Sequence, residues 1–572
     1  MRLIKYFFTF AFLVVTAPLV TPKVHAEGDF LTEYGISYDI GLTGETTVTQ
    51  DVTITNLRND VIVQTYTLKV KQLDIYDIKI HEKNRDIEVD NEKTLDETTI
   101  KVTLNSFNIG EGRQNKFSII YKSKDIANKI GEVWNINIPR TQAVEATTGY
   151  NINFSVPNAF GDKIFISPVP ILEESKNNLH RYYFTKESLA DKNITAAFGN
   201  YQYINFRLKY QLHNPNLLSS IYEIPLPPDI KSIQQVKYGS FNVMPDSVRT
   251  DPDGNVIAQY KLKPKQNLEV ELIGNAKISG RQINLESGGA LSEIPGSVIS
   301  LYTRPQPFWE TRAANIKEIS EKLYNKDQNV IQNANNIYNY IVENFSYDFA
   351  TLNEQFVDRK GASKSLENTA GWACMEFTDT FIALARSMGI PARELNGYAL
   401  SGTDNTRPLS INLRGGDFLH AWPEFYDPNY GWIQIDPTWG DTSNTDYFSK
   451  LDTNHFVLVI KGIDSDSPLP PGTYRFDENS EDKLVEVEFT DNPQNVEFKP
   501  EVEINQKMNL NILQMLFGRN KYELVNTGKV FLYTEDGEAI PPLSKRIFYR
   551  EKDLEDLKLK IFNGQEILFK IM

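Results

Sequence analysis

From about residue 37 to about residue 285 the apolar side chains of this 572-residue chain fall on alternate positions, and near residue 307 their spacing changes to three and four. A period of two belongs to strands with one buried face, and a period near 3.6 to helices with one buried face. The chain is therefore read as multidomain, with antiparallel β units first and an α+β unit after them. The alternation is explicit in Val48, Val52 and Ile54, and again in Ile62, Tyr66, Leu68 and Val70 beyond the turn signal Asn59-Asp60. It continues through "YNINFSVPN", "KIFISPV", "NFRLKYQLHN" and "LEVELIGNAKI", broken at Asn214-Pro215 and at Asp251-Pro252-Asp253-Gly254. This pattern places one β-sandwich over 27–127 and one or two further β units over 128–285.

After the change of period, Ile316, Ile319 and Leu323 mark one helix, and Val330, Ala334, Ile337, Tyr338 and Ile341 mark a second, with Asp327 as its N-cap. A third carries Phe377, Phe381, Leu384, Ala385 and Met388 on one face and stops at Gly389, a C-cap type of residue ahead of Ile390-Pro391. Strand patterns resume in "RELNGYAL", "HAWPEFYD", "GWIQIDPT" and "HFVLVIKG", so 300–462 reads as helices first and a sheet second. The Pro/Asp/Ser-rich run "IDSDSPLPPGT" opens a linker over 463–479, and 480–572 reads as a small C-terminal β domain.

The N-terminus, MRLIK followed by YFFTFAFLVVTAPLV and Val24-His25-Ala26, has the form of a secretory signal over 1–26, cut after Ala26. Its apolar run of about 15 residues is short of the roughly 20 that a spanning helix needs. No later run is long enough, so no membrane span is expected after signal removal and the mature protein is expected outside the cytoplasm, secreted or in the cell envelope. The balance of 75 acidic against 60 basic residues, −15 in all, argues against nucleic acid or anionic lipid as partner. An exported chain stapled by disulfides would hold cysteines in even number, and this one holds one, Cys374.

Cys374 falls at the start of the third helix, where unpaired backbone N–H groups and the dipole favour a thiolate over a thiol. His420 follows in "FLHAWPEF" and Asp436 in "GWIQIDPTW", on strand-patterned stretches that as hairpin neighbours would bring imidazole and carboxylate side by side. A thiol, a base and an acid that orients the base are the parts nucleophilic acyl transfer needs. Taken singly, each has a plainer reading: a lone cysteine as a small buried hydrophobe, a strand histidine as structural, an Asp before Pro as a turn starter. His455 and Asp441 are the nearest rivals for base and orienter.

The surrounding residues carry more. "GWACMEFTDTFIALARSMGIPARELNGY", then "HAWPEFYDPNYGWIQIDPTW", with "NANNIYNYIVENFSYD" upstream, resembles the core of the transglutaminase-like superfamily over about 320–460. The resemblance implies a papain-like, transglutaminase-like α+β domain in which Cys374 is the nucleophile, His420 the general base and acid, and Asp436 the residue that orients it. It implies a cysteine peptidase, amidohydrolase or protein-glutamine acyltransferase acting on a protein or peptide through a thioester. Trp372-Ala373 before the cysteine and Met375-Glu376 after it depart from the family's usual letters. An early helix position is expected to turn Glu376 to solvent, away from the thiol. No metal-ligand spacing, phosphate loop or Gly-x-Ser-x-Gly elbow occurs, so neither metal nor organic cofactor is expected. The competing reading is a non-catalytic cell-envelope interaction protein, in which the β units present a transglutaminase-like binding domain.

Overall fold

The computed structural model describes residues 29–570, except 72, 84, 95–96, 107, 140–146, 190–191, 351–357, 400–408, 410, 414–415, 478, 491–497, 552–555 and 562–563. The signal segment 1–26 and its cleavage point lie outside the described residues. The described chain is mostly strand and multidomain, as the alternating pattern requires.

The first β unit has one continuous core running from Tyr34 to Phe198. Its large sheet sets Phe30–Ile40 between Thr46–Asn56, antiparallel, and Thr147–Pro157, parallel. The unit therefore runs past the expected boundary at 127. The reason is a parallel pairing over a hundred residues of chain, which an alternating pattern cannot announce because Ile152, Phe154 and Val156 would look the same in any strand.

A second β unit pairs Gln202–His213 with Asn267–Ile278, and Asn267–Ile278 with Gln234–Phe241. The free edge of Gln202–His213 is taken by Val485–Phe489, a strand that comes only after the α+β unit and that the sequence pattern had assigned to the C-terminal domain. Pairing runs from Ile204↔Phe489 to Leu208↔Val485. The α+β unit is thus inserted into the second β unit, with both its ends held in one sheet. Leu419, Phe456 and Leu458 pack into the same core as Phe206, Leu208 and Tyr210. At the C-terminus Leu524, Leu532, Ile540, Leu557 and Leu559 form a small separate core. That part touches the second β unit where the Tyr533 hydroxyl donates to Asp229 at 3.0 Å, and burial pushes the Asp229 carboxyl up to about 8.

Within the α+β unit the helices that position the site are α1 (Ala314–Leu323), α2 (Val330–Asn344), α3 (Cys374–Ser387) and the short α4 (Pro437–Ser443). The antiparallel sheet holds β1 (Ala392–Ala399), β2 (Asp417–Asp427), β3 (Gly431–Gln434) and β4 (His455–Lys461), with β1 between β2 and β4 and β3 beside the end of β2. α2 is capped by Asn329, not Asp327. The Asn329 side chain accepts from Gln332 N–H at 2.8 Å while Gln332 accepts from Asn329 N–H at 3.0 Å, a reciprocal box that Asp327, two residues earlier, is not placed to make. α3 stops where expected: Gly389 takes φ +86°, a region that favours glycine, and Ile390 N–H returns to the Ala385 carbonyl at 2.9 Å.

Candidate active site

The site is built where α3, β2, β4 and the start of α4 meet. Cys374 is the first residue of α3 and is fully buried. Its N–H lies in the first turn, where no intrahelical acceptor exists. The thiol is enclosed. The Thr378 hydroxyl donates to the Ala421 carbonyl at 3.2 Å and so ties α3 to β2 one residue from His420.

His420 sits on β2 opposite Gly397 of β1, with no exposure to solvent. At Gly397 the β1–β4 register shifts, and a Cβ there would fall 2.1 Å from the Phe456 carbonyl, so only glycine fits. The imidazole lies against Trp439 at 5.3 Å and Trp422 at 5.8 Å between ring centroids, near-parallel to both. Its Nε2 is 2.8 Å from Asp436 Oδ2. Nδ1 has no partner at hydrogen-bonding geometry among the described residues, and it is the ring nitrogen left for Cys374, which lies within interaction range.

Asp436 is not a strand residue, as the pattern suggested, but the N-cap of α4. Its Oδ1 accepts from Trp439 N–H at 3.0 Å, which fixes the carboxylate and leaves Oδ2 for the histidines. Burial alone would lift this carboxyl, but the adjacent His420 and His455 hold it down to about 2. Burial alone would likewise lower the His420 imidazole, and the Asp436 charge, aided by Cys374, outweighs it and raises His420 to about 9. The site therefore favours a carboxylate beside an imidazolium.

His455, expected only as a rival base, occupies a different place. Its Nε2 is 3.2 Å from the same Asp436 Oδ2, and its Nδ1 is 2.8 Å from Asp452 Oδ1. Asp452 also accepts from the Tyr447 hydroxyl at 2.9 Å. Burial lowers the His455 imidazole, and Asp452 and Asp436 together raise it to about 9. Asp441, the rival orienter, meets neither histidine: it accepts from Tyr347 N–H at 3.3 Å, and burial lifts it to about 6.

Two further features escaped the sequence reading. Glu376 is buried, not solvent-facing. Its oxygens accept from Ala373 N–H at 3.2 Å and Lys360 N–H at 3.1 Å, so the side chain folds back over the start of α3. Burial raises its carboxyl, which weakens its opposition to a nearby thiolate. Behind it, Arg359 bonds to Asp379 and, at 2.5 Å, to Glu394, and Asp379 also accepts from the Trp309 indole at 2.8 Å. The spacing of Glu376 from Ala373 was a readable capping signal; the Arg359 cluster joins residues far apart in sequence and left none.

His420, Asp436 and His455 have ligand-type atoms within 4.8 Å of one another, and among the described residues they form the group that could hold a metal ion. Both histidines are hydrogen-bonded through Nε2 to Asp436 in a fully enclosed space.

A mostly-β protein that carries an inserted α+β unit, with a cysteine opening a helix beside a His–Asp pair, is the class that fold and site define. Residues 317–437 match the family model of the transglutaminase-like superfamily, so this part of the chain is similar to a transglutaminase-like core. The chain is 26% identical over 189 residues to an uncharacterised protein of Haemophilus influenzae, covering 30% of this chain and 49% of that one. It is 31% identical over 97 residues to a protein-glutamine gamma-glutamyltransferase of Pseudomonas aeruginosa, covering 17% and 14%. Among solved structures, the periplasmic domain of TgpA from Pseudomonas aeruginosa aligns over 42% of this chain and 91% of its own, at 14% identity and a TM-score of 0.22. The matched region spans less than half the length of these two curated relatives.

Proposed function

We propose that this is an exported cysteine acyl-transfer enzyme acting on peptide or glutamine-side-chain amides of a protein or peptide. Cys374 attacks the carbonyl carbon, His420 passes a proton to the departing amine, and the resulting thioester is resolved by water or by a second amine. Asp436 keeps the imidazole in place, and the Cys374 N–H is one donor to the oxyanion. The observation that carries the reading is the His420–Asp436 contact, which takes up Nε2 and leaves Nδ1 for the thiol at a helix start.

The enclosed site favours hydrolysis of small or extended peptide segments over joining of two folded proteins, because Cys374 and His420 are both without solvent exposure. The test is to incubate the protein with a glutamine-containing peptide, with and without an excess of a primary amine, and to identify products by mass. Free acid in both cases marks a hydrolase, and amine adducts mark a transferase. Intact peptide across a broad panel, together with a thiol labelled no faster than in denatured protein, would favour the binding-protein reading.

A further inference from the structure

The C-terminal β domain ends on one side in a tip that the catalytic reading leaves without a role. Between the strands Val502–Lys507 and Arg519–Asn526 the chain makes a single helical turn, Ile512–Leu516, and five large apolar side chains on and around it stand in solvent: Met508, Leu510, Leu513, Met515 and Phe517, from 56% to 79% exposed. Leaving such side chains wet is costly, and a monomeric soluble protein seldom gathers so many in ten residues.

The charge around this tip is reversed relative to the whole chain. Between Glu503 and Glu523 the only charged residues are Lys507, Arg519 and Lys521. Lys507 and Lys521 are directly paired across the two strands, and on the next strand Asn520 is paired with Arg550 and Arg519 with Glu551. Like charges placed opposite one another in a sheet repel, and Glu523, at 3.0 Å from Lys507, relieves only part of this. The Arg519 guanidinium stands 6.0 Å from the Phe517 ring, so cation and apolar surface are adjacent. Two other surface stretches expose aliphatic side chains, three each against five at the tip: Val169, Ile171 and Leu172 run straight into Glu173 and Glu174, and Leu217, Leu218 and Ile221 have Glu223 beside them as well as Lys261 and Lys265. The excess of acid over base in the whole chain hides this reversal because it averages over 572 residues.

We propose that the 508–517 tip binds the surface of an anionic lipid bilayer, with Met508, Leu510, Leu513, Met515 and Phe517 entering the headgroup and upper acyl region and Lys507, Arg519 and Lys521 lying against the phosphates. A convex knob with a cationic collar suits a fluid anionic layer, which moulds around it, better than a protein face, which would need a preformed complementary hollow. No helix among the described residues is long and apolar enough to cross a membrane, so this contact is peripheral. The proposal does not depend on the chemistry at Cys374.

The test uses the mature chain, sedimented with vesicles of equimolar phosphatidylglycerol and phosphatidylcholine and, separately, of phosphatidylcholine alone. Binding is expected on the anionic vesicles and roughly tenfold weaker on the neutral ones. The pair Leu510→Glu and Phe517→Glu should abolish binding, Lys507→Ser with Lys521→Ser should weaken it and reduce its salt dependence, and Leu218→Glu should leave it unchanged. Phe517→Trp should shift its emission to shorter wavelength when anionic vesicles are added. Equal rates of Cys374 alkylation in all variants would show that the α+β unit is intact. No binding to anionic vesicles, or binding that survives the paired Glu substitutions, would overturn the proposal. So would tip variants whose only effect is to turn a dimer into a monomer.

Discussion

His420 and His455 approach the same atom, Oδ2 of Asp436, at 2.8 and 3.2 Å. A carboxylate oxygen only accepts, so each imidazole donates its Nε2 proton there, and the orientation of both rings is set by one acid. Because His455 also faces Asp452 through Nδ1, it is held as a cation between two carboxylates. His420 then shares its orienting acid with a permanent neighbour.

Cys374→Ala should end amide cleavage or transfer while lowering stability by about 1–2 kcal/mol, the loss of one small buried atom. Turnover and denaturant unfolding of the same preparation check this, and a loss above about 4 kcal/mol would mark Cys374 as a packing residue. Asp436→Asn should leave the thiol easy to label but lower turnover by about 10²–10⁴, as expected when the base loses its orienting acid.

The two imidazoles set a pH window for stability. Both have folded values raised to about 9 against an ordinary 6.5, so their contribution is complete below 6.5 and is lost as pH rises through 9. Asp436 is lowered to about 2 from 3.8, so its contribution is complete above 3.8 and lost as pH falls through 2. Thermal unfolding followed from pH 3 to 10 should show full stability of this unit between about 4 and 6.5. His420→Gln and His455→Gln should each flatten the alkaline side, and a flank unchanged in both would place the titration elsewhere.

With His455 converted to Gln, Asp436 has one cationic partner fewer and its charge acts on His420 alone. The His420 imidazolium should then persist to higher pH, moving the alkaline limb of the Cys374 alkylation profile upward, with a stability loss of about 1–3 kcal/mol from the broken contacts to Asp452. A downward shift of that limb would contradict the shared-acid arrangement.

Enclosure of Cys374 predicts reactivity graded by size. Iodoacetamide should label the native protein, whereas a maleimide on a bulky polymer should react only after denaturation. Equal native labelling by both, measured as intact mass, would show that the site stands open in solution.

Arg359→Met should cost about 3–5 kcal/mol, because it strands Asp379 without its cation and leaves Glu394 only Lys461, at 3.7 Å, inside the protein. Asp379 is already lifted by burial to about 7 with Arg359 present, and Glu394 is lowered because Arg359, aided by Lys461 and Asn396, outweighs its burial. The destabilisation of the variant should therefore shrink at acid pH, where Asp379 takes up a proton and is no longer a buried charge. A loss below about 1 kcal/mol at neutral pH would show that solvent reaches the cluster.

The local parts of this architecture were legible and the distant pairings were not. The apolar face from Phe377 to Met388 and the stop at Gly389 follow from spacing alone, since a helix is defined by neighbours three and four apart. Val485–Phe489 reads as a strand from its own letters, but its partner lies 277 to 285 residues earlier, and no local rule selects that edge. The place of Asp436 was missed for a related reason: Asp-Pro-Thr suits both a strand end and a helix cap, and only the Trp439 N–H decides. His455 looked like a competitor of His420 because each has the same period-two surroundings. That both could serve one carboxylate depends on β2 and β4 flanking β1, which is a property of the sheet order.

The strand Val485–Phe489 also sets how the molecule would respond to being pulled. Tension carried along the chain from before residue 202 to beyond residue 490 can cross directly through the five paired positions from Ile204↔Phe489 to Leu208↔Val485, bypassing everything between them. The pairing is antiparallel, so the two loaded chain segments leave from its Ile204–Phe489 end, and its hydrogen bonds bear the load one at a time. The clasp acts as a mechanical fuse that opens like a zip at low force, and only after it has parted does strain reach the inserted unit and the helix that begins at Cys374.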